Sequence, residues 1–183
     1  MFDFSAVDQR IQNLIAKDRL PNVSVCVKGH EGTVFEKAYG IRSIESHDPV
    51  NEDTVFGIAS MSKSITALAI SILETEGKLS WDDPVCKYFP SFSVPGAPKD
   101  LVTLRTLAQH TAGIPPMEPL EWSIAMNSMD RDGEWIRAMR ASSPNQMNTI
   151  DQIIEYIAQC PYKTVGAPGE NMSYSNEGYA VLS

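Results

Sequence analysis

Between Ser60 and Glu76 the apolar residues Met61, Ile65, Leu68, Ala69, Ile72 and Leu73 recur at helical spacing, and Gly77 stands where such a helix would stop. A helix with so broad an apolar side gains most of its stability from tertiary packing. The segment is therefore expected to be a buried central helix around which the rest of the chain is arranged. It opens on Ser60 and carries Lys63 one turn later. Side chains at i and i+3 share a helix face, so this geometry lets a hydroxyl and an amine meet.

The flanking sequence is punctuated by equally local signals. Ser5 followed by Val7, Ile11, Leu14 and Ile15 predicts an amphipathic helix closed before Pro21-Asn22. Val23, Val25 and Val27 alternate with polar neighbours, and after Gly29-His30-Glu31-Gly32 a second extended run reaches Tyr39, which predicts an antiparallel hairpin. Ser91 to Pro98 reads as a Pro-rich loop, and Thr103 as the cap of a short helix through Gln109 broken by Gly113-Ile114-Pro115-Pro116. Residues 116 to 148 show mixed periodicity. Thr149 with Gln152 forms a capping box for a helix over Ile150 to Ala158, and Glu177 to Leu182 looks like the first turns of another.

The chemistry centres on Ser60, Lys63, Tyr174 and Asn176. At the start of a helix a serine meets free N–H groups and a positive dipole, both suited to a developing oxyanion. A structural reading would make Ser60 an N-cap and Lys63 a solvated first-turn residue, but the positive end of a helix does not favour a lysine. An amine that accepts the serine proton must be held partly neutral, and a phenol can share that task. Tyr174-Ser175-Asn176 supplies the phenol together with an amide that can orient Lys63 and bind a substrate carbonyl, and Pro168-Gly169 provides a turn ahead of it.

Composition narrows the class of partner. With 43% hydrophobic and 21% charged residues the chain reads as globular, and its net charge of -8 comes without a basic cluster, which speaks against nucleic acid and anionic membranes. The expected partner is a small-molecule or peptide substrate. Neither a secretory leader nor a membrane-spanning run is legible, so the expected location is cytoplasmic. Cys26, Cys86 and Cys160 lack paired spacing and are expected to be reduced, mostly buried thiols. Asp82, Asp83, Glu31 and Asp132 show no metal-like pattern, and no metal or cofactor is expected.

Four segments in order carry a resemblance. Phe56-Gly57-Ile58-Ala59-Ser60-Met61-Ser62-Lys63 resembles the nucleophile segment of class C β-lactamases and their penicillin-binding, esterase and D-peptidase relatives, and Glu76 to Val85 resembles the family's next segment. Leu107 to Ile114 is similar to the family's His-Thr-Ser-Gly segment, with Ala112 in place of serine, and Pro168-Gly169 before Tyr174-Ser175-Asn176 completes the series.

The resemblance implies an α+β fold of the β-lactamase/transpeptidase-like type, an antiparallel sheet flanked by helices with an all-α subdomain. Residues 1–183 would be the N-terminal part of one catalytic domain, about 1–60 holding a helix and the first strands and about 61–183 a mainly helical subdomain. It implies a serine hydrolase that forms an acyl-enzyme on Ser60 and cleaves amides or esters, a peptidase for D-amino-acid peptides or an esterase. A catalytically silent binding or scaffold protein is the alternative. The family's third motif, Lys-Thr-Gly or His-x-Gly on an edge strand, lies beyond Tyr-x-Asn and is not reached before Ser183. A second polypeptide completing the sheet is therefore expected. Lys163-Thr164-Val165 precedes Tyr174 and reads as loop. His110 is expected to order its loop rather than act as a base, and His30 and His47 to be solvated in turns. Met117, Trp122 and Trp135 could wall the cleft or pack in the core.

Overall fold

A computed structural model describes residues 3–117 and 149–183. The chain divides into two compact units, Met1–Ile58 and Ala59–Ser183. Trp122, Trp135 and Asp132 lie outside the described residues.

The first unit is a helix on a hairpin. Helix α1 spans Ser5–Ile15, and strands β1 (Asn22–Gly29) and β2 (Gly32–Gly40) pair antiparallel with Val25 opposite Lys37. A register shift at Val27/Lys28 marks a bulge just before the turn. Ser5 lies inside the helix and is not its cap; its N–H donates to the Asp3 carboxylate at 2.9 Å. That is the placement the positive end of a helix favours. Asp8 ties α1 to β2 by accepting from Lys37 Nζ at 2.8 Å and Tyr39 OH at 2.7 Å, and Phe4 stacks on Phe35 with ring centres 4.9 Å apart. Burial, and after it the Asp8 carboxylate, push the Tyr39 phenol up to about 12. Tyr39 and Val50 are the buried hydrophobic residues described in this unit. Cys26 on β1 is exposed, contrary to the expectation of buried thiols, because its side chain falls on the outer positions of the pleat.

The second unit opens on a 3-10 turn, Ala59–Met61, that runs directly into α2 (Ser62–Thr75). Gly77 ends α2 at φ +69°, and two backbone bonds, Gly77 N–H to Glu74 O at 2.9 Å and Lys78 N–H to Leu73 O at 2.9 Å, form a Schellman closure. The face of α2 that meets protein carries Ile70, which is buried, flanked by the partly buried Lys63, Thr66, Ala67 and Leu73. Met61, Ile65, Leu68 and Ile72 are each half or more exposed. The expected buried central helix is thus buried along a different line: the described residues cover the Ile70 side and leave the most apolar line open.

Among the described residues three further helices surround one core, α3 (Leu104–Ala108), α4 (Ile150–Ala158) and α5 (Asn176–Leu182). Thr103 and Thr106 form a reciprocal capping box at α3, and Thr149 and Gln152 form the one expected at α4. Leu104 and Leu107 of α3, Ile154 and Ile157 of α4, and Val181 and Leu182 of α5 pack together with Phe92, Val94 and Ile114. Gly178 lets α5 pack closely here: a Cβ there would meet Leu107 Cδ2 at 3.3 Å and Ile114 Cδ1 at 3.5 Å. Among the described residues no helix is long and apolar enough to cross a membrane.

Candidate active site

Ser60 stands in the 3-10 turn, whereas the sequence led to the expectation of the first turn of an α-helix. The difference preserves its relation to Lys63, because side chains three residues apart nearly eclipse in a 3-10 turn. Lys63 Nζ donates to Ser60 Oγ at 3.2 Å. Ala59, immediately before the serine, has φ +44°, a left-handed conformation that costs a non-glycine residue about 1 kcal/mol. The turn that presents Ser60 is therefore a strained one.

Tyr174 and Asn176 come from the segment that leads into α5. Ser175 caps α5 by accepting the Gly178 N–H at 3.0 Å, which makes Asn176 the first helical residue. Burial alternates through this segment: Ser173 and Ser175 are 9% and 4% exposed, while Tyr174 between them is 46% exposed. The alternation is that of extended chain, and it turns the Tyr174 ring outward onto Ser60. Tyr174 OH and Ser60 Oγ are 2.5 Å apart, and Lys63 Nζ donates to Asn176 Oδ1 at 2.7 Å. Because an ammonium only donates, the Asn176 amide turns its oxygen to Lys63 and leaves its NH2 available as a donor. All four residues singled out by the sequence meet here, across more than a hundred residues of chain.

Two tyrosines at this site are driven in opposite directions. The Lys63 ammonium, and after it the Ser60 hydroxyl, hold the Tyr174 phenol below its ordinary value. Burial, with a smaller contribution from Tyr174, pushes Tyr179 up. Tyr179, one turn after Asn176, was not singled out by the sequence, yet its ring lies 5.4 Å from Lys63 Nζ and its hydroxyl donates to Ala108 O at 2.9 Å. Of the two, Tyr174 is the phenol whose surroundings favour the deprotonated form, and Tyr179 the one held protonated.

Other candidates are placed elsewhere. Thr164 Oγ1 is 2.9 Å from Gly113 O and 2.7 Å from Gly166 O, and Val165 N–H donates to Gly113 O, so Lys163-Thr164-Val165 serves to fasten a loop. Met117 packs against the core. Asp82 binds Arg105 at 2.7 Å, and Asp83 accepts from Lys87 and Tyr88. His30 and His47 are exposed, and no group of metal-ligating residues occurs among the described residues.

This arrangement sits in a chain with known relatives. Protein flp of Staphylococcus aureus (strain COL) is 27% identical over 177 residues, 96% of this chain and 31% of that protein. Esterase EstB of Burkholderia gladioli is 32% identical over 110 residues, 59% of this chain and 28% of the esterase. The chain thus spans about a third of the length of the curated relatives it matches. Among solved structures, the octameric penicillin-binding protein homologue from Pyrococcus abyssi superposes with a TM-score of 0.74 at 30% identity, covering 99% of this chain and 38% of that one. The fold is accordingly of the β-lactamase/transpeptidase-like type, α+β, as the resemblance implied. The family model described as Beta-lactamase matches residues 7–183, nearly the whole chain, and the chain belongs to that family.

Proposed function

We propose that this protein is a serine hydrolase in which Ser60 attacks the carbonyl of an amide or ester. The observation that carries the reading is the contact of Ser60 Oγ with both Tyr174 OH, at 2.5 Å, and Lys63 Nζ, at 3.2 Å. As Oγ forms its bond to the carbonyl carbon, its proton passes to the Tyr174 phenolate, which the Lys63 ammonium stabilises. Tyr174 then gives that proton to the leaving amine or alcohol as the acyl bond breaks. Water enters by the same route in reverse: Tyr174 takes its proton, the acid departs and Ser60 regains its hydrogen. The Asn176 NH2 donates to an amide carbonyl of the substrate, and its oxygen keeps Lys63 between the two hydroxyls.

D-amino-acid-containing peptides and simple esters are the proposed substrates. The relatives described above, an esterase and a penicillin-binding protein homologue, support carbonyl chemistry of this kind. A second portion of polypeptide is proposed to complete the sheet and supply the remaining oxyanion donor, because the chain spans only 28–38% of those relatives. The proposed setting is cytoplasmic.

The test is covalent labelling. The protein, with the completing portion present, is treated with a fluorophosphonate or a penicillin and the adduct mapped by mass spectrometry. A single adduct on Ser60, lost in Ser60→Ala, is the expected result. An unlabelled Ser60 in a folded protein would instead favour a binding or scaffold role.

A further inference from the structure

We propose that His110 is the positioning residue for Tyr174, acting as a clamp that grips the backbone on both sides of the phenol and supports its ring. The inference rests on the reading of Tyr174 as the proton carrier and assigns what holds it in place.

The geometry is specific. Ser173 N–H donates to His110 O at 2.7 Å, and Ser175 N–H donates to His110 Nδ1 at 3.1 Å. These N–H groups belong to the two residues on either side of Tyr174, and one residue receives both. The His110 ring also lies against the Tyr174 ring, centroids 4.3 Å apart, and against Tyr179 at 5.1 Å. Three contacts from one side chain and its carbonyl thus define where the phenol stands.

The backbone of His110 carries a second observation. Helix α3 ends in a Schellman closure, with His110 N–H bonded to Leu107 O at 3.1 Å and Thr111 N–H to Thr106 O at 2.8 Å. His110 occupies the left-handed position of that closure at φ +59°, the place where Gly77 ends α2 at φ +69°. Glycine takes this conformation without a Cβ penalty and a histidine does not. A residue whose side chain did nothing would be better replaced by glycine; here the left-handed turn is what aims both the carbonyl and Nδ1 at the 173–175 segment.

The clamp has a protonation state. Accepting from Ser175 N–H requires Nδ1 to be bare, so the ring must be neutral with its hydrogen on Nε2. The groups that face it are Lys63 from α2, Tyr174 from the segment before α5 and Tyr179 from α5; burial first, and the Lys63 charge second, lower its pKa below the usual 6.5. Protonation would set an N–H against an N–H and release one side of the clamp.

Two variants separate this role from mere folding. His110→Gly relieves the left-handed conformation and removes the ring; His110→Asn keeps a residue that tolerates that conformation and offers Oδ1 near the place of Nδ1, but cannot titrate. The Tyr174 phenol is titrated by NMR in each, a readout independent of turnover. In His110→Gly it is expected to rise towards its ordinary value as the ring leaves Lys63, and Ser60 labelling to slow at least tenfold. In His110→Asn most of the labelling rate is expected to return. Below the His110 pKa, the wild-type rate should fall with a slope of two in log rate against pH, and the Asn variant with a slope of one. An unchanged Tyr174 titration in folded His110→Gly would overturn the clamp. A wild-type Ser60 that never labels would overturn the hydrolase reading alone, leaving the titration to decide the clamp.

Discussion

The Lys63 ammonium and the Asn176 amide oxygen meet at 2.7 Å, a contact that joins the start of α2 to the start of α5 across 113 residues of sequence. It leaves Lys63 fixed between an amide and the Ser60 hydroxyl. Replacing Asn176 by Ala removes the acceptor, frees the long lysine side chain to wander and deletes the NH2 donor. Labelling of Ser60 is expected to slow by about a hundredfold, within the range seen when one positioned polar group is lost from a carbonyl-transfer site. The second-order rate constant for fluorophosphonate labelling checks it, with circular dichroism confirming the fold.

Tyr174→Phe tests the proton carrier. The ring and its contact with His110 stay, and only the hydroxyl goes. The labelling rate is expected to fall by about 10²- to 10⁴-fold, the ordinary worth of a positioned acid–base group. In the parent protein the rate should rise with pH as the phenol ionises, with a midpoint below the usual phenol value because Lys63 and Ser60 favour the phenolate. Lys63→Gln removes the larger of those influences and should move the midpoint to higher pH as well as slowing the reaction.

Acid stability should depend on Asp83. Hydrogen bonds from Lys87, Tyr88 and the Ser80 N–H hold its carboxyl at about 2 in the folded protein, against about 3.9 for an unperturbed aspartate. A depressed folded value means that the stabilisation is complete above the unfolded value and fades as pH falls from about 4 to about 2. Asp83→Asn is expected to flatten the loss of melting temperature across that window and to leave Ser60 labelling unchanged. Thermal melts of both forms at a series of acidic pH values check this.

Gly77→Ala isolates a backbone effect. The position has φ +69°, and a methyl added there would meet no atom within 4 Å, so nothing but the left-handed conformation opposes the change. A loss of about 1 kcal/mol in unfolding free energy is expected. Denaturant titration measures it.

Much of the local structure was legible because its causes are local. The Thr149–Gln152 capping box, the Gly77 stop and the Val23–Val27 alternation each depend on residues within a turn or a strand of one another, and each element appears where those signals put it. Three features were not legible. Phe92 and Val94 sit in a Pro-rich stretch without periodicity, yet both are core residues, since a loop can bury side chains at any spacing. The open line of α2 could not be anticipated because periodicity reveals which residues are apolar, and only neighbouring elements decide which line is covered. His110 was expected to order a loop; that the loop is the Tyr174 segment required a contact between residues 65 apart.

Local spacing suffices for the pairing of Ser60 with Lys63, because helical turns place residues three apart together whatever the rest of the chain does. The tertiary structure alone decided that Tyr174 and Asn176 reach that pair, that the phenol is lowered while Tyr179 is raised, and that His110 lies behind it. Those outcomes follow from how α3 and α5 pack around Leu107, Ile114 and Gly178. Spacing along the chain carries no information about such a meeting, since the packing that closes the intervening loop is a property of the whole core.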